Sequence, residues 1–205
     1  MLVKHNNNSI SSINTPGSLA QGKMTLISSQ TASGSASIEF TSGIDSTYPI
    51  YRFEFINCHP SSTGNPNFQF NMSTDGGSNY NVTKTTTYFY AYHKEDDAAT
   101  TLDYDTGDDL AQSTAYQPIT QGIGGSAGDE SASGYLEIFN PSSTTFVKHF
   151  ICSMNSMSYP SFQASYNSYI AGYGNTTSSI DAIKFQMSSG NIDSGTIKLY
   201  GIKGD

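Results

Sequence analysis

One short stretch of the chain matches a motif of nucleophilic catalysis. Gly124 to Gly128 (GGSAG) fits the pattern G-x-S-x-G, in which a buried strand delivers the serine to a sharp turn and a helix follows. The preceding residues, Ile119 to Ile123, have the composition of a loop, and Asp129 to Gly134 do not favour a helix. The sequence therefore predicts that this serine is not catalytic.

Acidic side chains cluster between Asp103 and Asp109, with the spacing D-x-D-x-G-D-D. Calcium takes such carboxylate oxygens, but the run lacks the ligand spacing and distal glutamate of the helix-loop-helix calcium loop. A solvated loop is the favoured interpretation, and a calcium site is the alternative.

No two histidines have the spacing of metal ligands. We predict no catalytic, cofactor-binding or metal-binding residues, no cofactor, and a chain that is not an enzyme. The four histidines are His5, His59, His93 and His149.

Paired carboxylates offer a different chemistry, the cleavage of a glycan. Glu39, Glu54 and Glu137 all lie in strand-like segments. Each is also explained as an outward-facing strand residue, so the sequence leaves this alternative open.

Tyrosines are concentrated in two segments. Within Lys84 to His93, Tyr88, Tyr90 and Tyr92 fall on one face of a strand, and we expect this row to meet a covering loop, another subunit or a ligand. The second group, between Tyr159 and Tyr173, offers rings that could stack on sugars. The predicted interface or ligand-binding aromatics are Tyr88, Tyr90, Tyr92, Tyr166, Tyr169 and Tyr173.

Strands must position these side chains, because much of the chain alternates apolar and polar residues with a period of two. Phe68, Phe70 and Met72 show the cleanest alternation. Two further strands between Ile180 and Ile202 flank a turn at Ser188 to Asn191 and are predicted to form a closing hairpin. Roughly ten strands at this spacing predict an all-β fold, an antiparallel two-sheet sandwich with jelly-roll-like wiring.

The remaining elements follow from the same alternation. Phe146, Phe150, Cys152 and Met154 are predicted to line one face of a strand, with Lys148 among them. Glu95 to Ala132 are predicted to form one long connection, with a short helical turn near Asp108 to Gln112 as an option. The predicted strands before the closing hairpin are Lys23 to Gln30, Ser37 to Thr41, Pro49 to Asn57, Pro66 to Thr74, Lys84 to His93, Gly134 to Asn140 and Thr145 to Met154.

Composition limits the class of protein. A chain of 205 residues fits one large all-β domain. The net charge of −8 repels phosphate backbones and argues against nucleic acid as a partner. No apolar run approaches the about 20 residues of a membrane span, and Met1 to Ala20 lack a signal-peptide pattern, so no membrane partner is expected.

For Cys58 and Cys152, two buried free thiols are favoured over a disulfide.

The first twenty residues are polar and contain an asparagine triplet and a Pro-Gly turn. Such a segment cannot bury itself, so we predict an extended arm over residues 1–20 and a β-sandwich domain over residues 21–205. The arm is the candidate assembly contact. Its predicted contact residues are Lys4, His5, Asn7, Ile10 and Ile13.

Four segments of the chain carry a resemblance to a known family. They are Ser37 to Ser62, Phe68 to Tyr80, Gly134 to Phe150 and Ala171 to Ile202, and the terminal SGNIDSGTIKLYGI is the most specific part. They resemble virion structural proteins of marine tailed bacteriophages, of the cyanophage and pelagiphage type. The resemblance carries no catalytic residues across.

The resemblance implies a non-enzymatic structural protein on the particle surface, foremost a capsid decoration protein. The alternative is a tail or head fibre protein that binds host surface glycans. Either implies assembly in the host cytoplasm, localisation to the virion, and partners among other virion proteins. Oligomers in such particles are symmetric, and a homotrimer is the self-assembly we expect for a β-sandwich that bears a tyrosine-rich strand.

Overall fold

A computed structural model of the chain describes residues 24–158 and 160–203. Within these residues, twelve strands form two antiparallel sheets, and a short 3-10 helix, Pro160–Phe162, precedes the tenth strand. The strands are β1 (Met24–Ser35), β2 (Ile38–Phe40), β3 (Ile50–Pro60), β4 (Phe68–Ser73), β5 (Lys84–Lys94), β6 (Thr100–Tyr104), β7 (Gln117–Pro118), β8 (Ala132–Phe139), β9 (Lys148–Met157), β10 (Ala164–Gly174), β11 (Ala182–Met187) and β12 (Ile192–Ile202).

The two sheets differ in size. The eight-stranded sheet has the order β1-β12-β3-β8-β9-β10-β5-β6, and the four-stranded sheet has the order β2-β11-β4-β7. The chain passes repeatedly from one sheet to the other, so strands that are neighbours in sequence often lie in opposite layers. The predicted all-β, antiparallel two-sheet sandwich is confirmed.

Aromatic side chains from both sheets form one core between the layers. Phe185 of β11 lies against five other phenylalanine rings, with ring centroids 5.1–6.4 Å apart. Burial of each such ring contributes about 1.5–3 kcal/mol relative to leaving it exposed. The predicted inward positions of Phe68, Phe70 and Met72 are confirmed, because all three are fully buried. The five rings around Phe185 belong to Phe40, Phe53, Phe55, Phe68 and Phe70.

The predicted closing hairpin is wrong, although both of its strands exist. β11 pairs with β2 and β4 in the four-stranded sheet, whereas β12 pairs with β1 and β3 in the eight-stranded sheet. The turn between them is anchored to a neighbouring loop, where Ser188 N donates to Asn67 O at 2.8 Å and Asn191 N donates to Ser61 Oγ at 2.9 Å. At this turn the chain crosses from the four-stranded sheet to the eight-stranded sheet. The alternation of apolar and polar residues in the sequence does not reveal such a crossing.

The predicted long connection is also interrupted by strands. Residues 100–104 form β6, which pairs with β5, and Gln117–Pro118 form β7. The helical turn considered near Asp108 to Gln112 does not form. The Asp105 carboxylate instead accepts hydrogen bonds from Gly107 N at 2.8 Å and Asp108 N at 3.2 Å, so the side chain stabilises a turn.

Phe146 was predicted to lie on the same strand face as Phe150, and this prediction is wrong. β9 begins only at Lys148, and Phe146 is 69% exposed in the preceding turn. The hydroxyl of Ser143 accepts hydrogen bonds from Thr145 N at 3.2 Å and Phe146 N at 3.0 Å, which holds these residues outside the sheet. The buried side chain is that of Lys148, whose Nζ donates to Phe146 O at 2.8 Å and to Thr176 O at 3.1 Å.

The predicted arm lies outside the described residues. All of residues 1–20 are outside the described ranges, and so is Tyr159 of the second tyrosine group. The predicted contact residues concerned are Lys4, His5, Asn7, Ile10 and Ile13.

Candidate functional site

The solvent-facing side of the eight-stranded sheet carries large apolar side chains. Strand register places Tyr104 opposite Phe89, and Phe89 opposite Tyr169, on this side. Leu102 and Ile151 lie on the same side, and they are 73% and 48% exposed. Exposed apolar groups that form a contiguous patch mark interaction sites more often than scattered ones do. We refer to Phe89, Leu102, Tyr104, Ile151 and Tyr169 as the outer-face patch.

Two shallow depressions adjoin this patch. One has a volume of about 420 Å³ and is lined by Phe139, His149 and Tyr173. The other has a volume of about 240 Å³ and is lined by Tyr135 and Tyr169. Both are mainly apolar, so their surroundings offer few hydrogen bonds and favour another protein surface over a hydroxyl-rich ligand.

The predicted aromatic residues divide between the two sides of the sheet. Tyr169 and Tyr173 lie on the solvent side, where Tyr169 stacks on Phe89 with ring centroids 5.1 Å apart. Tyr88 lies in the core, where it is fully buried and its hydroxyl donates to Ser168 Oγ at 3.0 Å. Of the three alternatives for this tyrosine row, Tyr88 therefore fits the first, in which other parts of the chain cover it.

The structure brings three predicted tyrosines together at one end of the sandwich. Tyr90 and Tyr92 have nearly parallel rings, with centroids 6.4 Å apart, and Tyr166 lies 5.8 and 5.2 Å from them. Phe162 packs edge-on against Tyr92, and the Lys94 ammonium lies 5.3 Å from the Phe162 ring. We refer to Tyr90, Tyr92, Phe162 and Tyr166 as the tyrosine cluster. Its rings contact one another and are only partly exposed.

A polar cleft of about 500 Å³ lies where β3 and β12 are irregular. Asn57 lies in a bulge of β3 and adopts a left-handed conformation with φ 50°. Its backbone N–H donates to Ser133 Oγ at 3.0 Å, which fixes the bulge against β8. A depression of about 360 Å³ shares Asn57 and Asp129 with it. The polar cleft comprises both and is lined by Asn57, His59, Ser126, Asp129, Asn155 and Asp193.

The G-x-S-x-G segment forms one wall of the polar cleft, but not as a nucleophile elbow. The carboxylate of Glu130 is 2% exposed, and its Oε2 accepts hydrogen bonds from Ala127 N at 2.9 Å and from Ser126 N. In a nucleophile elbow, the N–H after the serine stabilises the oxyanion. Here that N–H already binds a negative charge, which would repel a developing oxyanion.

His59 and Asp193 complete the residue types of a catalytic triad but not its geometry. His59 Nε2 donates to Ala127 O at 3.2 Å, and His59 Nδ1 lies 3.7 Å from Asp193 Oδ2. A ring nitrogen that donates to a carbonyl cannot at the same time accept the proton of Ser126. The arrangement therefore rigidifies the cleft and does not activate the serine.

The acidic run is held by side-chain hydrogen bonds. Burial, followed by the charge of Asp105, raises the pKa of Asp108 to about 6. The Asp105 carboxylate accepts from Gln121 Nε2 at 2.6 Å, and Asp109 accepts from the Tyr104 hydroxyl at 2.7 Å. Over residues 24–158 and 160–203, no group of three or more His, Cys, Asp or Glu side chains is placed to hold a metal ion.

The three glutamates considered for glycan cleavage are bound by cations. Glu54 and Glu137 lie on either side of Arg52, at 3.5 and 2.9 Å. Glu39 lies 3.0 Å from Lys184 Nζ in the four-stranded sheet. These ion pairs account for all three carboxylates as structural residues of outward strand faces.

Sequence reasoning predicted Tyr169 of the outer-face patch but missed most other residues of the patch and of the polar cleft, for different reasons. Leu102 and Tyr104 alternate in TTLDY, a signal hidden among acidic residues. Asn57, Asp129 and Asn155 are far apart in sequence, and only strand order brings them together.

No helix in the part of the chain that the structure describes has the length and apolarity needed to span a membrane. Comparison of the chain with protein-family models, with curated proteins and with solved structures finds no match.

Proposed function

We propose that this chain is a non-enzymatic structural protein on the surface of a bacteriophage particle, where it serves as a capsid decoration protein. Its partners are other copies of itself, arranged as a homotrimer, and other virion proteins. It is assembled in the host cytoplasm and located in the virion. The observation that carries this proposal is the outer-face patch.

The outer-face patch supports an assembly role through its size and chemistry. Five large apolar side chains, each at least 37% exposed, lie on four adjacent strands. Aromatic residues are enriched in protein interfaces, and charged residues are depleted from their centres. The patch lies on a sheet, so its shape is fixed before a partner binds, which lowers the entropic cost of association.

The geometry around the candidate catalytic groups supports a non-enzymatic role. The amides that could form an oxyanion hole bind Glu130, and the glutamates considered as a catalytic pair bind Arg52 or Lys184. The charge of −8 also disfavours nucleic acid as a partner.

Sedimentation velocity tests the assembly role. We expect the wild-type protein to sediment as a trimer and the double variant Leu102→Glu/Ile151→Glu to sediment as a monomer, because two charges in the patch would be desolvated in an interface. Ser33→Glu, on the exposed strand β1 at the far edge of the same sheet, is the matched control and should remain trimeric. Mass spectrometry of purified particles should detect the chain. A wild-type monomer that is absent from particles would contradict the proposal.

A second candidate function is that of a tail or head fibre protein that binds host surface glycans. It is favoured by the polar cleft, whose amide and carboxylate side chains can hydrogen-bond a hydroxyl-rich ligand. A glycan array that shows no binding would exclude this function.

A further inference from the structure

We propose that the polar cleft, and not the tyrosine cluster, binds a neutral oligosaccharide. This inference rests on the second candidate function, glycan recognition, and names its site and ligand class. It does not depend on the outer-face patch, which lies on different residues. The assembly proposal and the glycan-binding proposal can therefore be tested independently, and one can be wrong while the other is right.

The polar cleft has the size of a ligand site. Its two parts have volumes of about 500 and about 360 Å³, within the range of roughly 300–1,000 Å³ that small-ligand pockets occupy. Because they share Asn57, Asp129 and Ser131 in their linings, the two depressions are adjacent. Two adjacent depressions of this size can accommodate neighbouring sugar rings of one oligosaccharide.

The walls of the polar cleft are held in place by groups beneath the surface. Glu130 binds the backbone of the glycine-rich wall, and a Cβ at Gly125 would lie 2.3 Å from Ser62 O, so this wall packs directly on the loop after β3. On the opposite side, a Cβ at Gly195 would lie 2.7 Å from Cys58 Cα. The polar cleft is therefore formed in the absence of ligand, which lowers the cost of binding.

The chemistry of the lining matches a hydroxyl-rich ligand. The Asn57 side chain is an amide that can donate and accept hydrogen bonds, and the carboxylates of Asp129 and Asp193 accept them. Asn155 offers its amide oxygen as an acceptor, because its Nδ2 already donates to Ser165 Oγ and Tyr166 O. Sugar hydroxyls also donate and accept, so they satisfy both kinds of group. His59 and Met157 supply limited apolar surface for the faces of sugar rings.

The charge of the lining selects neutral over anionic sugars. Glu95, Asp129 and Asp193 contribute negative charge. Among the described residues that line the cleft, none is a lysine or arginine. Sialic acids, sulfated sugars and phosphates would be repelled.

The tyrosine cluster is less suited to sugars because its rings pack on one another. Tyr90 and Tyr92 are nearly parallel at an angle of 13°, and Tyr166 contacts both. Stacking on a sugar requires an exposed ring face, whereas these rings are only partly exposed and contact one another. The cluster is better explained as a small core at the end of the sandwich.

A glycan array followed by calorimetric titration tests this inference. We expect the purified protein to bind neutral glycans and not sialylated or sulfated ones. With the neutral tetrasaccharide that binds best, Asn57→Gly and Asp129→Ala should each raise Kd at least about tenfold, since each removes groups that hydrogen-bond the ligand. Asn57→Gly keeps the left-handed backbone, because glycine adopts positive φ without strain.

The matched control is Asn140→Gly, which makes the same substitution at an exposed asparagine with φ 46° outside the cleft. It should bind as the wild type does. Binding that is abolished by Tyr92→Ala but retained by both cleft variants would overturn the inference while preserving glycan recognition. A preference for anionic glycans, or no neutral glycan bound, would also overturn it. Asp129 lies on an exposed loop, so its variant keeps the test valid if Asn57→Gly fails to fold.

Discussion

Lys84 is a fully buried lysine whose described hydrogen-bond partners are uncharged. Its Nζ donates to Asn71 Oδ1 at 2.6 Å and to Val82 O at 2.8 Å. The amide of Asn71 also donates to Tyr80 O at 2.7 Å and Thr114 O at 3.0 Å, so the network ties two loops to β4. Burial lowers the pKa of Lys84 to about 7, because a desolvated ammonium is costly.

This lowered pKa makes stability depend on pH. Between about 7, the pKa of Lys84 in the folded state, and its ordinary value of 10.5, the unfolded chain binds a proton that the folded chain does not. Stability must therefore rise with pH in this window. From pH 7 to about 8.5, we expect the free energy of unfolding to rise faster in the wild type than in Lys84→Met, by up to about 1.4 kcal/mol per pH unit. Urea unfolding at several pH values measures this slope.

The control for this measurement is Lys203→Met, which removes an exposed lysine. Its stability should follow the wild-type pH dependence. Both cysteines are retained in all three proteins, so their titration cancels in the comparison. Parallel curves for the wild type and Lys84→Met would contradict the role assigned to Lys84.

At the scale of single residues, the sequence predicted few of the functional details. It identified Lys84 only as the first residue of a strand, because lysine is almost always exposed and carries no signal of burial. It grouped Tyr88 with Tyr90 and Tyr92, but strand alternation cannot tell how far the opposite layer extends over that face. The outer-face residue Leu102 was hidden in a segment interpreted as a loop.

The irregular part of β3 and β12 is the element that shapes the polar cleft. Gly195 has φ 124°, and a Cβ there would lie 2.7 Å from Cys58 Cα and 2.9 Å from Asn57 O. Only glycine lets the two strands approach so closely. This close approach lies directly beside Asn57, which lines the cleft.

Gly195→Ala should therefore destabilise the protein by more than about 2 kcal/mol, through backbone strain and steric overlap together. Gly76→Ala separates the two causes, since Gly76 has φ 70° with no atom within 4 Å of the added Cβ. We expect it to cost about 1–2 kcal/mol from the left-handed backbone alone. Thermal and urea unfolding measure both. Equal losses in the two variants would show that the contact with Cys58 is unimportant.

Strands were predicted well at the scale of elements, and their partners were not. Alternation identified β3, β4 and β5 because apolar and polar residues alternate along each, although in β4 the polar residues Asn71 and Ser73 are buried as well. It gave no information on pairing, which depends on how turns dock. The strands after Ile180 therefore look like a hairpin in sequence but lie in different sheets.

The whole molecule is an unequal sandwich, and this explains where its surfaces lie. The four-stranded sheet covers part of the inner face of the larger sheet, and the loop after β6 covers more of it, with Thr86 N donating to Leu110 O at 2.9 Å. Composition and strand spacing predicted this class of fold. They could not predict an outer face with exposed aromatic residues, because the sequence does not distinguish an outward tyrosine from an inward one.

The two cysteines report on the cooperativity of this sandwich. Cys58 on β3 and Cys152 on β9 are buried, free thiols that face the core. They lie opposite Ala132 and Leu136 on β8, so an intervening strand and about 13 Å along it keep them too far apart for a disulfide. Burial raises the pKa of Cys58 to about 12 and also raises that of Cys152, which suppresses the reactive thiolate.

Both thiols should therefore react only when the two sheets separate. We expect intact-mass spectra of the native protein, incubated with iodoacetamide in increasing urea, to show molecules with no label or two labels and almost none with one. Ser126→Cys, at an exposed loop position, should take one label immediately and confirms that the reagent is active. Accumulation of a singly labelled species would mean that β3 or β9 opens locally, and that the sandwich does not unfold as one cooperative unit.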